Sequence, residues 1–234
     1  WVDALMDECY DAYRLSVAAA VASFRGETAA AERYLQRAIT VSPRPAAYHR
    51  QLANVYVGQQ NLAAAKRHFE RATTLAPTDS EAWALYVKLL KEAGDRQGAY
   101  RTVVAGLRHC PESPALHYAY GNLLHADGRL GEALGELQEA KRLRPSEPNA
   151  YIELAALRFR MGNVDAGMDE MRQVLAIQPD HPAALMLLAG HAIESRDAAT
   201  ARELIARMGP RSNVSATQRA QLVAKYRQTF GEMP

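Results

Sequence analysis

Residues 46–79 read AAYHRQLANVYVGQQNLAAAKRHFERATTLAPTD, and the pattern in these 34 residues returns along the rest of the chain. Prolines mark the interval most plainly, since they recur every 34 residues at Pro43, Pro77, Pro111, Pro145 and Pro179. Four further columns share this register: Gly26, Gln60, Gly94, Gly128, Gly162 and Arg196; Ala31, Ala65, Ala99, Ala133, Gly167 and Ala201; Leu35, Phe69, Val103, Leu137, Met171 and Ile205; and Leu15, His49, Trp83, His117, Tyr151 and Leu185. A fixed period of this length is typical of proteins built from repeated supersecondary units.

Each column has a physical reason for its place in the repeat. The glycine column follows an apolar stretch with helical spacing, where a left-handed residue closes a helix. The next residue is a good N-cap in four of six repeats, at Asn61, Asp95, Asn163 and Asp197, so a second helix should begin there. The proline column then stops that second helix. We therefore predict that each repeat is a helix–turn–helix hairpin, in which the small-residue column lets the two helices pack closely.

This hairpin pattern resembles the tetratricopeptide repeat family, whose unit also has 34 residues. The residues that carry the resemblance are Leu52, Ala53, Tyr56, Ala65, Phe69, Ala72 and Pro77, then Trp83, Gly94, Ala99 and Pro111, and then Leu154, Ala155, Gly162 and Pro179. The sequence departs from the family at Arg158, where an aromatic residue is usual, and at His49 and His117. The resemblance implies an all-α fold, a right-handed α-solenoid of helix–turn–helix hairpins, and the residue usage indicates a bacterial source.

The columns also set the expected boundaries of the repeats. We predict a single solenoid over residues 1–234, with units 12–45, 46–79, 80–113, 114–147, 148–181 and 182–214. Pro210 comes early in the last unit, which predicts a short second helix there. An N-terminal helix extension occupies residues 1–11. Because the chain begins at Trp1 and not at Met, we expect a processed product or part of a longer polypeptide.

A further helix is predicted over residues 215–231. Ser215 and Gln218 have the spacing of a capping box, which opens a helix by satisfying two backbone amides. An apolar stripe follows at helical spacing, at Ala216, Ala220, Val223, Tyr226 and Phe230. Because a solenoid needs its last open face covered, we interpret this segment as a C-terminal capping helix.

Composition narrows the class of function. The net charge is +2, from 28 basic and 26 acidic residues, and this balance argues against a nucleic-acid partner. No apolar run approaches the roughly 20 residues that a membrane-spanning helix needs. The two cysteines, Cys9 and Cys110, lack the spacing of zinc ligands and are most simply buried thiols.

The sequence also lacks the patterns of known catalytic sites. Its seven histidines fall on different repeats, without the short spacing that a shared metal ion requires. Phosphate-binding glycine loops and serine nucleophile elbows are absent from the sequence. We therefore predict no enzyme activity, no cofactor and no metal site.

The family resemblance implies that the first helix of each hairpin lines a concave groove. The residues expected to bind peptide there, called the inner strip below, are Arg50, Asn54, Lys88, Lys91, Tyr118, Asn122, His125, Ile152, Phe159 and Arg160. Met186 and Ile193 extend its apolar end. Asparagine amides can pair with both groups of a peptide bond, and cations favour acidic residues or a free carboxylate. A solvated charged face is the plainer reading of the same lysines.

These observations favour a non-catalytic protein–protein interaction scaffold that binds an extended peptide segment. Arg50 and Asn54 resemble the opening of a carboxylate clamp for chaperone tails, but Leu85, Ala115 and Ala119 stand where its next residues should be. Two alternatives stay open: a regulatory or positioning arm of a larger multidomain enzyme or electron-transfer protein, and an assembly factor for a bacterial envelope complex. The sequence does not decide between the cytoplasm and the periplasm.

Overall fold

The computed structural model describes residues 2–42, 45–209 and 212–234, with side chains from Tyr10 onward. These residues form thirteen α-helices and contain no β-strand. The helices are α1 (Val2–Phe24), α2 (Thr28–Val41), α3 (Ala46–Gly58), α4 (Leu62–Leu75), α5 (Ser80–Glu92), α6 (Arg96–His109), α7 (Pro114–Ala126), α8 (Leu130–Leu143), α9 (Pro148–Arg160), α10 (Val164–Ile177), α11 (Pro182–Glu194), α12 (Ala198–Arg207) and α13 (Ala216–Phe230). The all-α prediction is confirmed.

The turn within each hairpin follows the glycine column. All six positions have the left-handed conformation, with φ of 76° at Gly26, 75° at Gly94, 74° at Gly128 and 77° at Gly162. Gln60 and Arg196 adopt it with φ of 59° and 58°, although side chains with a Cβ disfavour this region. The predicted helix ends are therefore confirmed, including the two that have no glycine.

The predicted N-caps are also confirmed. The side chains of Asn61, Asp95, Asn163 and Asp197 each accept a hydrogen bond from the backbone amide three residues later. Glu27 precedes α2 without a side-chain cap. Consequently the second helices of the hairpins begin where the capping column placed them.

The seam between paired helices is made from the small and apolar columns. The five alanines of the small-residue column are 0% exposed. The apolar column beside them is equally buried, with Phe69 1% and Leu137 0% exposed. Neighbouring helices pack in chain order, as α1 does with α2, α3 with α4 and α9 with α10. Burial of both columns explains why their residue types recur at one interval.

The chain divides into two compact parts, Trp1–Tyr120 and Gly121–Pro234. The single solenoid over 1–234 and its unit boundaries stay predictions. Pro43 and Pro210, and the side chain of Cys9, lie outside the described residues.

The C-terminal end carries a regular last helix. Ser215 and Gln218 form the predicted capping box, and Gly231 closes α13 with φ of 76°. Leu222 and Tyr226 are buried against α11 and α12, with Val223 and Phe230 partly buried beside them. The apolar stripe is wrong at Ala216 and Ala220, which are exposed. The packing face of α13 is therefore rotated relative to the predicted stripe and includes Leu222 in place of Ala216 and Ala220.

Candidate functional site

In the first compact part, the inner strip lies on α3 and α5, with Tyr118 on α7. Asn54 is exposed on α3, while Arg50, one turn earlier, is half-buried. Lys88 and Lys91 are exposed on α5. Tyr118 is half-buried. The strip therefore presents an amide and two ammonium groups to solvent in this part of the chain.

A cavity of about 330 Å³ opens beside Asn54 between α1, α2 and α3. Its lining is made mostly of small side chains and apolar surface: Ala19, Ala20, Ser23, Thr28, Leu35, Gln51, Asn54, Val55 and Gly58. Volumes from about 300 Å³ upward are typical of pockets that enclose a ligand group. The small size of the α1 residues leaves this space.

Arg50 is engaged by two carboxylates at the junction with the following repeat. Its Nε lies 3.1 Å from Asp79 Oδ2, and its Nη1 contacts Glu81. Asp79 also caps α5 by accepting a hydrogen bond from the Ala82 amide at 3.1 Å. Because both acids lie on the same guanidinium, Arg50 is a neutralised, positioned group and not an open anion site.

The two lysines of α5 are only weakly paired with acidic side chains. Lys88 Nζ is 3.9 Å from Glu92 Oε1, and such an exposed pair one turn apart contributes little. Glu81, on the same helix, contacts Arg50. The net result is a locally basic surface at Lys88 and Lys91.

In the second compact part, the inner strip has polar atoms without partners. Asn122 is half-buried, and its Oδ1 has no hydrogen-bond partner among the described residues. His125 Nδ1 is 3.7 Å from Glu153 Oε2, and the buried Nε2 of His125 is likewise unpaired within the described part of the chain. Arg160 Nη1 donates to the carbonyl of His125 at 3.0 Å. The arrangement leaves an amide oxygen and an imidazole nitrogen for another group to satisfy.

The apolar end of the strip is used more by the core than expected. Ile152, Phe159 and Met186 are half-buried and pack against the core of the second part. Phe159 covers Gly167, where an added Cβ would lie 2.3 Å from its ring. Ile193 is 1% exposed, so its expected place on the groove is wrong. The other five repeats have an alanine at the position of Gly167, and here the Phe159 ring occupies the space of that methyl group.

Two buried polar clusters were missed by the sequence. Glu170 of α10 is buried and binds Lys141 Nζ at 2.9 Å and Arg158 Nη2 at 3.4 Å, which explains why an arginine replaces the usual aromatic residue. His49 and His68 approach to 2.9 Å between their Nδ1 atoms. Burial, more than the charge of His68, lowers the pKa of His49 to about 4. The first cluster joins α8, α9 and α10, and the second joins α3 and α4.

The described residues hold no group of three or more His, Cys, Asp or Glu side chains placed to bind a metal ion. Within the same residues, no helix is both long and apolar enough to cross a membrane.

Comparison with known proteins agrees with this architecture. The family model for the tetratricopeptide repeat matches residues 25–89, 57–123 and 158–226. These matches span more than half of the sequence, and the chain belongs to the tetratricopeptide repeat family. Its members are protein–protein interaction scaffolds and are generally non-catalytic. No curated protein sequence matches the chain significantly.

Several solved structures share the fold at low identity. PilF of Pseudomonas aeruginosa is 18% identical, with a TM-score of 0.68 over 80% of this chain and 84% of PilF. PilW, described as a type IV pilus biogenesis factor, is 20% identical, with a TM-score of 0.63 over 81% of this chain and 88% of PilW. YrrB, described as having an unusual peptide-binding site, is 20% identical, with a TM-score of 0.54 over 71% of this chain and 86% of YrrB.

Proposed function

We propose that this chain is a non-catalytic scaffold that binds an extended peptide segment on the first helices of its repeats. The observation that carries the proposal is the cavity of about 330 Å³ at Asn54. Asn54 of the inner strip lines this cavity and places an exposed amide at its edge, and the rest of the lining is largely apolar. An apolar side chain of the peptide would enter this cavity, because apolar burial supplies most of the affinity at such sites.

The polar residues of the first part would fix the direction of the peptide. The Asn54 amide would pair with the N–H and C=O of one peptide unit, which holds a backbone without reading its sequence. Lys88 and Lys91 would attract an acidic residue or a terminal carboxylate. Arg50 would act indirectly, since Asp79 and Glu81 already neutralise it. The preferred ligand is therefore an apolar residue with acidic residues on the lysine side.

The second part supports a separate contact of the same kind. Asn122 Oδ1 is an acceptor, and His125 Nε2 is a ring nitrogen that donates or accepts according to its tautomer. Neither has a hydrogen-bond partner within the described residues, and leaving buried polar atoms unpaired has a free-energy cost of about 1–3 kcal/mol each. Hydrogen-bonding groups of a bound segment would remove that cost if both side chains turn toward the surface on binding. Phe159 contributes mainly to packing, and Ile152 offers the remaining apolar surface beside them.

The cavity can be tested with matched glycine variants. Peptides are first selected from a random displayed library against the whole chain, and their Kd is measured by fluorescence anisotropy. Gly58→Trp should weaken binding at least tenfold, because Gly58 lines the cavity and an added side chain has open space to fill. Gly135→Trp is the control, since Gly135 is also helical with open space but lies outside the cavity. Equal affinities for the two variants would overturn the proposal.

The basic surface is tested separately. Lys88→Glu with Lys91→Glu should lower the affinity for a selected acidic peptide, most strongly at low salt, because the attraction is electrostatic. Arg33→Glu with Arg37→Glu makes the same change of charge on exposed positions of α2. If both double variants lose the same affinity, only net charge matters and the lysines hold no specific ligand group.

A second candidate function is assembly of a bacterial envelope complex. The fold similarity to PilW, a type IV pilus biogenesis factor, raises it, although 20% identity supports the fold alone. A positioning arm within a larger enzyme or electron-transfer protein is the third reading. The test deletes the gene and compares the envelope appendages of the deletion strain after complementation with the unchanged chain or with Gly58→Trp. Appendages that are lost on deletion and restored only by the unchanged chain would favour the assembly role over the other two.

A further inference from the structure

The first helix has an exposed apolar face directed away from its own hairpin. The side chains on it are exposed by 61% at Tyr10, 60% at Tyr13, 45% at Val17, 46% at Val21 and 94% at Phe24. These five residues are called the α1 face below. The opposite side of α1 packs on α2 through buried residues such as Ala12, Ala19 and Ala22. The α1 face is thus an apolar surface that the first compact part does not cover.

The spacing of the α1 face is symmetric about Val17. Tyr13 and Val21 lie four residues before and after Val17, and Tyr10 and Phe24 lie seven residues before and after it. A second α1 that runs antiparallel, with a two-fold axis at Val17, would therefore pair Tyr10 with Phe24, Tyr13 with Val21, and Val17 with its own copy. A face that is its own complement under such rotation is what a two-fold symmetric interface requires.

The charged residues beside the face are compatible with this pairing. The exposed charges between Tyr10 and Phe24 are Asp11 and Arg14. The same two-fold axis places Arg14 opposite Ala20 and Asp11 opposite Ser23, so neither charge meets a like charge. The Arg14 guanidinium already lies 5.5 Å from the centre of the Tyr10 ring, which keeps it at the edge of the face.

The exposed area is close to what a specific dimer needs. Taking about 200 Å² for a fully exposed aromatic side chain, the α1 face offers about 500 Å² of apolar surface. Complete burial of this surface on both copies would cover about 1,000 Å², which is near the lower limit for a specific interface. We propose that the α1 face binds the α1 face of a second copy of this chain in antiparallel orientation.

Cysteine crosslinking tests the orientation, in a chain in which Cys9 and Cys110 are replaced by serine. Val17→Cys should form a disulfide-linked dimer in a glutathione redox buffer, because the two copies of position 17 meet on the axis. Tyr10→Cys alone should not, since its two copies lie about 21 Å apart along the helix at 1.5 Å per residue. A mixture of Tyr10→Cys and Phe24→Cys should give the mixed dimer. Efficient crosslinking of Tyr10→Cys with itself would overturn the antiparallel arrangement.

Sedimentation equilibrium tests the association itself. The whole chain should show a monomer–dimer equilibrium, and Val17→Glu should weaken it at least tenfold, because it buries two unpaired charges on the axis. Val104→Glu is the matched control, since Val104 is an exposed valine of α6 outside the face. A chain that is monomeric up to about 1 mM would refute the proposal. Growth beyond the dimer would also refute it, because a two-fold contact closes on itself.

The dimer and the peptide site can fail independently. Val17 does not line the cavity at Asn54. Ala20 and Ser23 do line it, and the two-fold axis places them opposite Arg14 and Asp11 of the second copy, so peptide binding is measured at a chain concentration below the dimer Kd. At that concentration Val17→Glu should leave the affinity for a selected peptide unchanged, and Gly58→Trp should lower it while the dimer still forms at higher concentration.

Discussion

Gln60 is the residue where a single substitution should most directly stabilise the protein. It closes α3 with φ of 59°. The equivalent turns of four other hairpins have a glycine at this position: Gly26, Gly94, Gly128 and Gly162. A left-handed residue with a Cβ costs about 1–2 kcal/mol relative to a right-handed one. Glycine at this position removes that cost but makes the unfolded chain more flexible, which offsets about 0.4–1 kcal/mol. The expected net gain for Gln60→Gly is about 0.5–1 kcal/mol.

Urea unfolding followed by circular dichroism measures this gain. With an m-value of about 2.5 kcal/mol/M, the midpoint should rise by about 0.3 M. Gln59→Gly is the control, because Gln59 has φ of −83° and its substitution should lower stability. Gly128→Gln is the reverse experiment and should lower stability by a similar amount. If Gln60→Gly is neutral while Gly128→Gln is also tolerated, left-handed strain is not what sets the stability of these turns.

Two further predictions concern the buried polar clusters. Glu170→Ala should destabilise the protein by about 2–3 kcal/mol in urea unfolding, because it leaves the partly buried Lys141 and Arg158 without their carboxylate. Asp169→Ala, which removes an exposed ion pair with Arg172, should change stability by less than about 1 kcal/mol. Equal losses would contradict the role of burial. The pKa of His49 is about 4 in the folded chain, below its unfolded value of 6.5, so its contribution to stability is present above pH 6.5 and is lost as the pH falls toward 4. In His49→Leu the slope of unfolding free energy against pH between 4 and 6.5 should be shallower by up to about 1.4 kcal/mol per pH unit, and an unchanged slope would show that His49 does not titrate in this way.

Local features of the fold could be predicted from the sequence because their causes are local. A left-handed turn and the N-cap after it involve residues within four positions of each other, so Gly94 and Asp95 are readable in order. The same register even located Gln60 and Arg196, where the residue type alone gives no turn signal. The capping box at Ser215 is an equally local pattern.

The chemistry of the inner strip was harder to predict because it depends on neighbouring repeats. The sequence placed Arg50 on the strip but could not show that Asp79 and Glu81, about thirty residues later, contact it. Likewise, the expectation for Ile193 followed its column and missed its burial in the core. Cavities are the hardest feature to predict from sequence, because the space beside Asn54 exists only where Ala20 and Gly58 have no larger side chain.

The contact between Arg50 and the following repeat makes units of equal length unequal in kind. Arg50 needs the carboxylates of Asp79 and Glu81, and the residues 34 positions further on are Ser113 and Ala115. If the third hairpin were exchanged for the fourth, the backbone would still match in length and Asp79 would stay in place, but the methyl group of Ala115 would stand where Glu81 contacts the guanidinium. The contacts between hairpins therefore constrain their order, because exchanging these two hairpins would leave the Arg50 guanidinium with one carboxylate in place of two.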